Sequence, residues 1–268
     1  MGQIIELPEI KKLKQEIREL KKSLEDFVLE RDELKLVICE NIKTAYMLHF
    51  GGIEYRVYKA YCEFLRLRRK KEMIQAKKNH QERISMDAIE NCLDIEFFEY
   101  QEKLNHKITE MNRAMERSKM EMLSDEETEE IKKLYRSIVK SLHPDINPAA
   151  SDAEKELFYH ATQAYEQGDI SALQVILQIA GTEENMDLAS SSLITLRKEK
   201  QRLTNLVDRI QADIERIKEN PPYTWKMYVE DEKKKAERLD DLRKELFSFQ
   251  NAIRTQEEQI YEVMGHEI

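Results

Sequence analysis

His143, Pro144 and Asp145 set a titratable imidazole, a rigid ring and a carboxylate side by side between two amphipathic stretches. A His and an Asp at this spacing can move protons or ligate a metal, provided a nucleophile or further ligands stand nearby. The sequence supplies neither at a recognisable spacing, and it has no CxxC pair and no Gly-rich phosphate loop. On residue types alone the triplet fits an ordinary helix–helix turn, since Pro and Asp both favour turns, and no catalytic constellation stands out, so the chain is expected not to be an enzyme. Just before it, 131–142 holds Lys132, Lys133, Arg136 and Lys140 with no acidic residue, a positive strip suited to an acidic groove. A denser basic run, Arg66, Arg68, Arg69, Lys70 and Lys71, lies near Tyr58 and Tyr61, as a stacking nucleic-acid surface requires. Helical spacing spreads those charges over several faces, and Glu72 and Glu82 dilute them. A salt-bridged flank is the preferred reading.

Composition limits what can position these residues. Charged residues make up 36% of the 268-residue chain and aromatics 7%, with only 6 Gly and 5 Pro. That balance favours long helices with narrow apolar seams over a thick core. No sustained alternating Val/Ile/Thr run signals a strand. The net charge of -9 argues against general affinity for nucleic acid or anionic membrane. Cys39, Cys62 and Cys92 are far apart and odd in number, which predicts reduced thiols and a cytoplasmic setting, with no disulfide framework and no metal site. No cofactor is expected. His106, His160 and His266 stand alone on helical patterns. The amino terminus lacks the apolar core of a signal peptide, and Glu6 occupies the position where a myristoylation signal wants Ser or Thr. No stretch approaches the roughly 18 apolar residues of a membrane span.

Pro8 suits the first turn of a helix. From there Ile10, Leu13, Ile17, Leu20, Leu24 and Phe27 recur at spacings of three and four, a heptad seam expected to run to about 49. Gly51-Gly52 reads as a break. A second helix is predicted over 53–78, and a third from an N-cap at Ser85 to about 122. Ser124 with Glu127, and Ser151 with Glu154, are capping boxes that start the helices on either side of the loop. Gly168 ends the second of these, Asp169 caps 170–180, and 181–185 is a linker. Leu196, Leu203, Leu206, Ile210, Ile214 and Ile217 form another seam, stopped by Asn220-Pro221-Pro222. Leu239, Leu242, Leu246, Phe249, Ile253, Ile260 and Val263 form a last one, with Gln256 interrupting it. Similar arm lengths around the proline turn predict an antiparallel hairpin, a parallel homodimer being the competing arrangement. Trp225, Tyr223 and Tyr228 at the tip read as a local staple or a recognition knob, the staple being preferred.

The string IKKLYRSIVKSLHPDINP followed by ELFYHATQAYEQGD resembles the J domain of DnaJ-type co-chaperones. The resemblance covers 124–169. Tyr135 and Arg136 fall on the family's aromatic-basic pair, Lys132 on a basic position and Ile138 on a core position. Phe158, Ala164, Tyr165 and Glu166 fit the return helix. The resemblance implies that Asp145 makes the charged contact with an arginine of a DnaK-type ATPase chaperone, while His143 and Pro144 hold the loop's geometry. Lys132, Tyr135 and Arg136 complete the implied chaperone-binding set.

The sequence departs from the pattern at several points. Ser137 and Ser141 stand where basic residues are common, Leu142 replaces an aromatic, and Ile146 replaces a frequent Lys. The short opening helix is missing, and Met111, Met115 and Met122 are expected to supply equivalent packing. The expected fold is all-α and elongated, with a long-helix bundle or hairpin over 1–122, a J-like module over 123–181 and a coiled-coil hairpin over 186–268. The leading function is a co-chaperone whose arms hold a client or self-associate. The alternative is an interaction scaffold with a degenerate J-like fold, and nucleic-acid binding through the basic helix comes last.

Overall fold

The computed structural model describes residues 8–120, 123–180 and 192–265. Among them every regular element is helical, so the chain is all-α. The linker expected over 181–185 lies outside the described residues, as do Glu6, Met122 and His266.

Helix α1 (Pro8–Glu33) opens on its proline and leads through a π-helical turn (Leu34–Ile38) into α2 (Cys39–Tyr46). A second π-helical turn (Met47–Gly51) precedes α3 (Gly52–Asn79). The break expected at Gly51-Gly52 is therefore absent: Gly51 is helical, with φ −53°. Its small size serves a close approach instead, because a Cβ there would meet the Met111 side chain at 3.0 Å. Ser85 caps α4 (Met86–Glu96) as expected, accepting from the Ala88 amide. The single helix predicted to follow is divided at Phe97, where ψ opens to 9°, and resumes as α5 (Phe98–Arg117). Then come α6 (Asp125–Leu142), α7 (Asp152–Gln167), α8 (Ile170–Ala180) and α9 (Leu193–Glu219). The chain ends with α10 (Lys226–Glu230) and α11 (Glu232–Met264).

These helices form two compact units, each built from segments distant in sequence: Met1–Asn41 with Glu121–Thr224, and Ile42–Met120 with Trp225–Ile268. The helix pairings correct the coiled-coil hairpin expected over 186–268. The seams of α9 and α11 do not close on each other; α9 packs along α1, and α11 along α3. In the first unit Arg197 reaches Glu9, Lys200 reaches Glu16 and Lys218 reaches Glu30, so α1 and α9 run parallel. In the second, Arg238 reaches Glu54, Phe249 meets Tyr61 and Lys71 reaches Gln259, again in parallel. Partners lie 184 to 188 residues apart in both pairs. The reason is topological. The proline turn stops α9 as predicted, but the first 79 residues already offer an apolar seam for each later arm.

The first core joins Leu13, Ile17, Leu24 and Val28 of α1 to Leu203, Ile210 and Ile214 of α9 and to the inward faces of α6, α7 and α8. In the second unit Trp225 stacks on Tyr46 with ring centroids 4.4 Å apart, and Tyr228 lies edge-on to Phe50. Trp225 and Tyr228 thus belong to a long-range core, whereas Tyr223 packs against the first core. The three aromatics do not form a local staple. Gln256, the seam interruption, leaves its side-chain oxygen buried without a hydrogen-bond partner.

Candidate functional site

Both helices around the loop start as their sequence dictates. Ser124 accepts from the Glu127 amide while the Glu127 carboxylate accepts from the Ser124 amide, and Ser151 and Glu154 repeat the exchange. Each box satisfies amides that a helix start leaves exposed. α6 then places Ile131, Tyr135, Ile138, Val139 and Leu142 inward. α7 folds back along it, with Phe158 against His143 and Tyr165 stacked on Tyr135 at 4.1 Å. Gly168 closes α7 in the left-handed region at φ +76°, and Asp169 accepts from the Ala172 amide to start α8.

Inside the loop, His143 is buried and its Nδ1 accepts a 3.0 Å bond from the Asp145 backbone amide. The His143 carbonyl accepts from the amides of Ile146 and Asn147. The imidazole thus acts as a peg that shapes the turn. Burial pushes its pKa below 6.5; Arg31 adds to that shift, and Asp32 and Asp145 oppose it.

The remaining contacts come from α1 and α9. The Arg31 guanidinium lies 3.0 Å from His143 Nε2 and 3.4 Å from the Asp145 carboxylate, and grips Asp32 at 2.7 Å. Arg209 holds the other Asp145 oxygen at 3.2 Å. Asp32 also accepts 2.9 Å from the Tyr135 hydroxyl. Burial and the facing Asp32 raise the Tyr135 pKa well above its ordinary value. Burial works against the Arg31 cation, but Asp32 and Asp145 outweigh it and raise its pKa. Both His143 nitrogens face donors. A neutral ring has one acceptor nitrogen, so only one of those contacts can be a good hydrogen bond at a time.

The positive strip of α6 is present but not free. Lys132 pairs with Glu33 at 2.6 Å, Lys140 with Glu25 at 3.1 Å and Arg136 with Asp26, while Lys133 pairs with Glu129 on its own helix. Tyr135, at 1% exposure, lies inside the core and presents nothing to a partner. Pro144 and Asp145 line one wall of a cleft of about 450 Å³ whose opposite wall is Arg202, Asn205 and Arg209 of α9. The structure thus brings His143, Pro144, Asp145 and Tyr135 into one cluster and sets Lys132 and Arg136 on the adjoining face. The packing expected from the end of the third helix comes from α8 and α1 instead; Met111 packs at Gly51 and Met115 is half exposed.

Sequence reasoning missed Arg31, Asp32 and Arg209. For Arg31 a signal existed: continuing the seam from Leu24 and Phe27 by four puts an arginine, not an aliphatic residue, at the next position. Arg209 carries no such mark.

Four of the five charges in the basic run of α3 meet acids, and Lys71 donates to the neutral Gln259 amide. Arg66 binds Glu90 and Asp94, Arg69 binds Glu96, Lys70 binds Glu90 and Arg68 binds Glu72. That removes the ground for a nucleic-acid surface there. Cys39 and Cys62 are buried, and all three thiols are free. Among the described residues no group of three or more His, Cys, Asp or Glu side chains is placed to hold a metal, and no helix is long and apolar enough to cross a membrane. Set against family profiles, curated proteins and solved structures, the chain finds no match.

Proposed function

We propose that this chain is a co-chaperone-like adaptor that presents the loop 143–145 to a DnaK-type ATPase chaperone. One observation carries the reading: a buried His143 shapes the turn between two back-folded helices, and the Asp145 carboxylate projects from it toward arginines. A loop built in this way suits a partner that offers an arginine to the carboxylate and acids to the neighbouring strip. The adaptor would shift the chaperone toward its hydrolysis-competent state and transfer no proton through His143. A client would meet the outward faces of the coiled coils, because their seams are occupied within the chain.

A second reading rests on the same contacts. With Asp145 held by Arg31 and Arg209, the helix–loop–helix can serve as a structural brace between α1 and α9, and the protein as an interaction scaffold. Single-turnover ATP hydrolysis by a DnaK-type chaperone separates the two. An adaptor stimulates the turnover, and Asp145→Asn removes the stimulation while the helical content stays unchanged. A scaffold leaves the rate of the chaperone alone untouched in both forms.

A further inference from the structure

The recognition face of the loop is matched, group for group, by the protein's own helices. α1 sets Glu25, Asp26 and Glu33 against Lys140, Arg136 and Lys132, while Arg31 and Arg209 converge on the two oxygens of Asp145. Acids over the basic strip and arginine over the loop carboxylate are what the proposed chaperone would have to supply. Resting on the co-chaperone reading, we infer that the α1–α9 pair acts as an internal latch: it occupies the docking chemistry of the loop and strip, and the chaperone must exchange places with it.

The latch is electrostatic, not steric. Lys132, Arg136 and Lys140 remain 48–54% exposed and Arg209 63% exposed, so their pairs sit at the surface within reach of a competitor. Exposed pairs of this kind are individually weak and screened by salt. On the Arg209 side a cleft lined by Pro144, Pro148 and Leu206 lies between the loop and α9, bridged by the Arg209–Asp145 pair. Exchange therefore needs only the exposed charged side chains to swing, with Arg31 still paired to Asp32 and the core beneath α6 intact.

The test uses the full chain with Asp26→Lys, Glu33→Lys and Arg209→Glu together. All three are surface positions whose reversal opposes Arg136, Lys132 and Asp145. Two readouts are taken: the rate at which glycine ethyl ester and a carbodiimide modify Asp145, and single-turnover ATP hydrolysis by the chaperone. The latch predicts faster modification of Asp145 and at least about fivefold greater stimulation than wild type at equal concentration, a gain of roughly 1 kcal/mol. Adding Asp145→Asn must abolish that gain. Equal stimulation by wild type and variant, lost in both with Asp145→Asn, overturns the latch and leaves the co-chaperone reading standing. Unchanged modification of Asp145 also overturns the latch, since reversing Arg209 and the acids over the strip then releases nothing. Faster modification with no stimulation from either protein sinks both, because there is no docking face to guard. Should the triple variant fail to fold, Arg209→Glu alone carries the same expectations in smaller measure.

Discussion

The Tyr135 hydroxyl donates a 2.9 Å hydrogen bond to the Asp32 carboxylate from a ring that is 1% exposed, tying α6 to α1 across 103 residues of sequence. Asp32 is itself 6% exposed and shares its charge with Arg31. A buried carboxylate persists only while its lone pairs are met, so this bond pins the helix–loop–helix to the coiled coil beneath it. Tyr135→Phe removes the donor and keeps the ring. The expected cost is about 1–3 kcal/mol, the penalty for leaving a buried acceptor short of its donor. Chemical denaturation followed by circular dichroism measures it, and a loss under about 0.5 kcal/mol would show that the bond does not bear on stability.

His143 makes stability depend on pH with a definite sign. Burial lowers its folded-state pKa below 6.5, so the unfolded chain binds the extra proton first as pH falls. The contribution is complete above 6.5 and declines as pH drops from there toward the folded-state pKa. Unfolding midpoints compared at about pH 7.5 and about pH 5.5 should fall at the lower pH. His143→Asn, which has no titrating group, should show a smaller decline. Equal declines in both proteins would assign the effect to other groups.

The parallel pairing has a covalent signature. A zero-length carbodiimide joins carboxylates to amines already in contact, and Glu16–Lys200 and Glu30–Lys218 stand at 3.0 and 2.8 Å. Mass spectrometry of the cross-linked monomer should recover both pairs. An antiparallel hairpin of 186–268 would instead yield links between α9 and α11. Pairs recovered only from dimer would show that the seams close between chains.

Gly168 has φ +76°, and a Cβ there would meet Leu123 at 3.3 Å. Gly168→Ala combines left-handed strain with this close contact, and about 1–2 kcal/mol of destabilisation is expected. At Gly52 the φ is ordinary for a helix and a Cβ would find no heavy atom within 4 Å, so Gly52→Ala should be neutral or stabilising. Thermal unfolding of the two variants side by side checks both expectations.

Much of this arrangement follows from local rules. The boxes at Ser124 and Ser151, the Ser85 cap, the αL stop at Gly168 and the end of α9 at Glu219 each depend on a few adjacent residues. Their physics is complete within one turn of chain, and so they were legible. The loop was legible for the same reason, because His143, Pro144 and Asp145 are contiguous and His143 satisfies the Asp145 amide two residues away.

Partner choice was not legible. Heptad seams are alike, and nothing in the pattern of α9 or α11 says which other seam it will meet. Adjacency and a proline turn favoured pairing them with each other, whereas the fold lays each along a first-arm helix 184 to 188 residues earlier. Charge followed the same rule. The sequence by itself determined an all-α chain with a loop carrying Asp145 beside a strip of Lys132, Arg136 and Lys140. Only the tertiary structure decided that Arg31, Arg209, Glu25, Asp26 and Glu33 would meet those charges, because Coulombic partners are chosen by distance in space and the seams alone set that distance.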